Sequence, residues 1–278
     1  MLHYLIIVML LLSCLKAVAQ EVQLADTVET RPLKLTHAEP LYIDLIRDLG
    51  AHKGEKEWNI GAGLTDNLGY DRYEFLVEYE WAPINRLGLE VEVPVSLYTP
   101  NISDLDPQLN RPADRIESLK LAAQYTFLVS DKYQTSMALG TITEFELADL
   151  NRIGKDNMVK GFLLNPFLVM AKRWGSNMHS LVYTGPRVLF PFHKSGTEVG
   201  YEINSSVHYM IPNSRNFIGL ELNKEFSHGE FHMVARPQMR ITIDEGLMIG
   251  VVPGIPIIRG EERLSSFVRL IYEPRHRK

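Results

Sequence analysis

Apolar and polar residues alternate one by one in this chain, in runs about twice the length of an ordinary strand. In "RLGLEVEVPVSLY" (86–98), Leu87, Leu89, Val91, Val93, Val95 and Leu97 share one side, while Glu90, Glu92 and Pro94 share the other. A period of two belongs to an extended strand, whose successive side chains point to opposite faces. The same alternation runs through "WNIGAGL" (58–64), "RYEFLVEYEW" (72–81), "SLKLAAQYTF" (118–127), "EVGYEINSSVHYMI" (198–211) and "FHMVARPQMRI" (231–241). Beyond Glu57 no helical period interrupts it, so an α/β fold has no support.

The pattern predicts about twelve strands, near 56–65, 71–82, 86–98, 116–128, 133–146, 159–172, 178–190, 197–211, 216–226, 230–243, 247–258 and 264–273. Most are 10–15 residues long, where a tilted strand crossing a bilayer needs roughly 9–11. Connections after the second, fourth, sixth, eighth and tenth strands are short: "PIN" (83–85), "VSDK" (129–132), "RWGSN" (173–177), "PNSR" (212–215) and "DEG" (244–246). Those after the third and fifth, 99–115 and 147–158, are long. A water-soluble β-sandwich would alternate in the same way. Strand length, dense charge on the polar face, and Tyr73, Trp81, Tyr98, Tyr125, Phe127, Tyr133, Trp174 and Tyr272 near strand ends favour a membrane barrel instead.

The N-terminus agrees. "LIIVMLLLSCL" (5–15) is an apolar run of signal-peptide length, and "AVA" at 17–19 offers small residues for cleavage before Gln20. Cys14 is the single cysteine, so cleavage would leave a mature chain with no disulfide, thiol nucleophile or thiolate metal site. No internal apolar run reaches the roughly 18–20 residues of a transmembrane helix. A formal net charge of −5 argues against nucleic-acid binding.

Together these features resemble a Gram-negative outer-membrane β-barrel, similar in pattern to porins and transporters. The resemblance implies an all-β fold, an antiparallel transmembrane β-barrel of about twelve strands at 56–273. Ahead of it come a cleaved signal peptide (1–19) and a periplasmic segment (20–55). Within that segment "EPLYIDLIRDLG" reads as a short helix at 40–49, able to plug a barrel mouth, lie on a membrane surface or pack on an ordinary core. A tail (274–278) follows, and it departs from barrels that end on an aromatic residue. The partners implied are outer-membrane lipid, small solutes or ions, and the barrel-assembly machinery.

With the apolar face toward lipid, the lumen would carry Glu74, Glu78, Glu80, Glu90, Glu92, Glu198, Glu202, Glu221 and Glu225, beside Lys120, Arg236 and Arg240. Pairing the second and third strands around Ile84 predicts Glu78 opposite Glu90, and Pro94, which lacks a ladder donor, marks a bulge or weak pairing. These charges suit a passive channel or transporter with a net acidic lumen. Two alternatives remain: a structural or interaction barrel with a blocked lumen, and a barrel-embedded hydrolase acting on lipid. No catalytic, cofactor or metal constellation supports an enzyme. "HGEFH" (228–232) is not the zinc-protease order and sits at a strand start. Ser206 and His208 share a face without a third partner, and capping or solvation accounts for His37 and Glu39 in "THAEP".

Overall fold

The computed structural model describes residues 31–43, 45–100, 111–152, 154, 158–192, 196–258 and 262–274. The expected signal peptide with Cys14, most of the 101–114 loop and the last four residues lie outside them. Twelve antiparallel strands form the wall: β1 (Lys56–Asn67), β2 (Tyr70–Ile84), β3 (Leu87–Pro100), β4 (Arg115–Ile116, resumed at Ser118–Ser130), β5 (Thr135–Leu147), β6 (Val159–Trp174), β7 (Met178–Pro191), β8 (Glu198–Met210), β9 (Phe217–Ser227), β10 (Glu230–Asp244), β11 (Leu247–Pro256) and β12 (Glu262–Tyr272). Each strand pairs with the next, and β12 pairs with β1 through Trp58↔Tyr272 and Ile60↔Leu270, which closes the ring.

Closure leaves no sheet edge to donate into hydrocarbon, which is the condition for spanning a bilayer with strands. The outer wall exposes Ile60, Val77, Leu121, Leu139, Met170, Val207, Ile218 and Ile255. Trp58 packs tilted on Tyr79, which stacks on Trp81, at the short-turn rim, and Phe162 stacks on Phe190 near the other. A closed barrel with an apolar belt between aromatic rims is the architecture of an outer-membrane barrel. Five tight connections, at 85–86, 131–134, 175–177, 211–216 and 245–246, mark one rim.

Two expectations need correction. The register of β2 on β3 slips between Trp81 and Ile84, so Glu78 faces Glu92 and Glu80 faces Glu90. The reversal turns on Asn85 and on Arg86, whose φ is 67°, rather than on Ile84. The 40–49 helix is absent: residues 40–43 and 45–50 run as bends and a turn. Their amides donate to side chains of the wall instead of to carbonyls four residues back, and Arg47 takes a φ of 65° that no α-helix accepts. At Pro94 the β3–β4 register does shift, from Glu92↔Lys120 to Val95↔Ile116.

Candidate functional site

Residues 33–43 and 45–51 run inside the ring, in its short-turn half, and the wall is built to hold them. Five backbone amides of the segment find acceptors on five strands. Ala38 N–H donates to His179 Nδ1 at 2.8 Å, Leu41 N–H to Gln238 Oε1 at 2.7 Å and Ile43 N–H to Glu221 Oε1 at 3.2 Å. Arg47 N–H donates to Glu80 Oε2 at 2.8 Å and Gly50 N–H to Thr126 Oγ1 at 2.9 Å. In return, Gln124 Nε2 donates to the Arg47 carbonyl at 2.8 Å. An irregular backbone buried in a barrel needs such partners, because each unpaired polar group there costs about 1–3 kcal/mol.

Apolar contacts anchor the same segment on two walls. Leu45, Ile46 and Leu49 pack with Ala122, Ala138, Phe167, Val169, Ala171 and Leu181. Ala38 and Leu41 pack with Phe217, Met248, Val252, Phe267 and Ile271. The leucine spacing that suggested a helix stripe therefore divides between two opposing patches. Small inward residues make the room: a Cβ at Gly250 would meet Leu41 at 2.7 Å.

Charge fixes the segment's far end. The Arg47 guanidinium meets Glu57 Oε2 at 2.7 Å and Glu80 Oε2 at 3.5 Å. Asn59, wholly buried, donates to Glu57, Glu78 and Glu80 and draws these carboxylates together. Lys34 pairs with Asp48 and with Glu55, the latter at 2.7 Å. Burial works against both charges, yet Lys34 and Arg47 hold the Asp48 carboxyl well below its usual range. Burial, then the Asp48 carboxylate and a hydrogen bond to it, push Glu39 well above its usual value, which favours its protonated form beside Asp48.

On the far side of the segment the lumen opens into a cavity of about 900 Å³ toward the long-loop rim. Tyr42, Ile43 and Ile46 of the segment line it together with residues of the wall. The Arg236 guanidinium lies 3.4 Å from the centre of the Tyr42 ring, and Phe167 stacks on Tyr183 at 4.6 Å. Ten glutamates and seven lysines or arginines border this space. Most charges pair locally: Lys120 with Glu92 at 2.8 Å, Arg72 with Glu74 at 2.9 Å, Arg115 with Glu117 at 2.7 Å and Arg187 with Glu225 at 3.7 Å.

The twelve residues expected in the lumen divide three ways. Glu74, Glu78, Glu90, Glu92, Lys120, Glu202, Glu225 and Arg236 border the cavity. Glu80 and Glu221 bind the segment, and Arg240 packs over Phe217 and donates to the Arg215 carbonyl at 3.1 Å. Glu198 stays at the long-loop rim, 3.5 Å from His228. The segment carries His37 and Glu39 into the ring, where His37 is buried against Ser136 and Glu39 is half-buried. Carboxylate oxygens of Glu78, Glu90 and Glu92 lie within 4.8 Å of one another, but Lys120 and Arg269 stand against them. Ser206 and His208 point inward, and neither the hydroxyl nor either ring nitrogen has a hydrogen-bond partner.

Sequence reasoning missed Arg269, although its inward parity in "SSFVRLIY" was readable, and Arg47, which no strand pattern could place. It also missed the inner apolar patches. "FLLNPFLVMA" (162–171) and "LMIGVVPGIP" (247–256) are apolar on both faces, a sign that something other than water covers the inside.

The family model that matches spans residues 33–273, segment and barrel together, and is HAEPLYID-like. The chain belongs to the HAEPLYID-like family. The eight letters of that name are residues 37–44 of this chain, and residues 37–43 lie in the segment inside the lumen. Among solved structures, the COG4313 outer membrane channel from Pseudomonas putida F1 is similar at a TM-score of 0.67 and 10% identity, over 85% of this chain and 100% of that one. The NanC porin follows at 0.56 and 10%, over 78% and 100%, and the KdgM porin at 0.53 and 14%, over 79% and 99%. At these identities the likeness is one of fold. No curated protein matches the chain.

Proposed function

We propose that this barrel is a gated outer-membrane channel for small solutes. Residues 33–51 act as the gate at the periplasmic, short-turn end, and the cavity is the vestibule on the outside. One observation carries the reading: the strands of the wall pair with one another into a closed ring, and the segment is attached to that ring by side-chain hydrogen bonds, two apolar patches and a backbone bond from Arg86 N–H to the Ala51 carbonyl. A part of a permanent core would be woven into the ladder. The gate can leave while the barrel stays closed on itself.

The vestibule selects by charge. Its excess of glutamates favours cations and cationic or neutral solutes, because their field lowers the energy of a passing positive charge. KdgM has been seen in complex with a disordered oligogalacturonate; a polyanion of that kind would meet carboxylates here. The barrel-assembly machinery is its expected partner during insertion, and no catalytic role is assigned.

Planar-bilayer recordings test both parts. The intact mature chain is expected to conduct rarely, and deletion of residues 33–51 to open it fully. Under a salt gradient, Glu90→Gln with Glu92→Gln should move the reversal potential toward zero, most clearly at low salt. Arg236→Gln should move it the other way. A barrel that stays silent after the deletion is a structural one.

A further inference from the structure

Three histidines meet where the segment crosses the lumen, and they meet almost no acid. His37 comes from the segment, His179 from β7 and His208 from β8. His179 and His208 are direct partners across the β7–β8 ladder, and the His37 ring stands edge-on to His179 with centroids 6.2 Å apart. Their exposures are 7%, 4% and 0%. His179 Nδ1 accepts the Ala38 amide proton, so that nitrogen carries none of its own. His37 Nε2 lies 2.9 Å from Ser136 Oγ on β5.

The other charged groups facing the cluster are mostly cations. Arg173 on β6 acts on His37 and His179, and Arg240 on β10 acts on His179 and His208. Asp48, on the segment itself, is the carboxylate that acts on His37, and it is already engaged by Lys34 and Arg47. A proton added to any of the three rings therefore sets a positive charge beside a guanidinium or another imidazole. Added at His179 Nδ1, it also breaks the bond to Ala38.

We propose that the cluster of His37, His179 and His208 is an acid-release latch: protonation unseats residues 36–43 from the wall. This rests on the reading of the segment as a gate and states what opens it. Burial, His179 and Arg173 hold the His37 imidazole down to about 4 from its ordinary 6.5. A lowered histidine favours the seated state fully above 6.5, and that advantage is lost as pH falls toward 4. One such proton changes the opening equilibrium by up to about tenfold per pH unit. More than one makes the response steeper.

Hydrogen–deuterium exchange of the intact mature protein, corrected for intrinsic rates, tests this between about pH 7.5 and 4.5. Protection of the 36–50 peptides is expected to fall at least tenfold while the strands remain protected. His37→Gln combined with His179→Asn keeps a hydrogen-bonding atom at each position and removes two of the three titrating rings; its profile should be much flatter than that of the wild type. His37→Gln alone, which alters no strand and so leaves barrel folding intact, should reduce the slope. A flat wild-type profile, or a drop of equal size in the double variant, overturns the latch. Exchange reads the segment whether or not the barrel conducts: acid release without conductance supports the latch and overturns the gate.

Discussion

A Cβ atom at Gly88 would lie 1.9 Å from the carbonyl oxygen of Ile46. Gly88 points inward from β3 and has no positive φ, so an alanine suits the strand and collides only with the segment. Gly88→Ala is expected to weaken seating by about 1–3 kcal/mol, the usual range for overpacking. Bilayer recordings should show a higher open probability, while heat-modified migration of the barrel on gels stays as in the wild type. Unchanged gating would mean that the segment is not the obstruction.

Arg47 neutralises two buried carboxylates at once. Arg47→Met removes a cation from Glu57 and Glu80, and breaking a buried pair on one side costs roughly 3–5 kcal/mol. The loss should be read as faster exchange in residues 36–50. Adding Glu57→Gln removes one stranded charge, so the double variant should recover part of the loss. A double-mutant cycle with no coupling would contradict the 2.7 Å contact between Arg47 and Glu57.

The Glu39–Asp48 pair gives the segment a second pH limb. Glu39 is raised, so its protonated form belongs to the seated state. The stability it contributes is present below its ordinary value and is lost as pH rises through the raised one, where two carboxylates face each other. Glu39→Gln supplies a permanent donor to Asp48. As pH rises above the ordinary carboxylate range, exchange in this variant should stay slower than in the wild type, and equal profiles would refute the raised Glu39.

The outer and inner faces of β3 separate in a folding assay. Val91→Arg places a charge on the lipid side and should cost roughly 2–4 kcal/mol near the midplane. Glu90→Gln, across from Glu80, removes one of two like charges and should fold at least as well as wild type. Equal tolerance of both would reverse the assignment of faces.

Sequence alone determined the wall. Alternation over ten or more residues sets which side chains share a face, because the strand period is two whatever the neighbours are. It therefore placed Glu78, Glu90, Glu92 and Arg236 inside, and it told twelve strands and the shorter rim. Register lay one step beyond it. Moving the reversal from Ile84 to Asn85 and Arg86 shifted the partners of Glu78 and Glu80 along β3 by two residues without changing their face.

Only the tertiary structure decided what fills the ring. Leu41, Leu45 and Leu49 carry a helical spacing, yet the inner wall offers acceptors on five strands and two separate apolar patches. A backbone that can be satisfied by its surroundings need not satisfy itself as a helix. Those acceptors come from Thr126, His179, Glu221, Gln238 and Glu80, residues up to 197 positions away from the amides they bind. No local pattern encodes that distance; closing the barrel creates it.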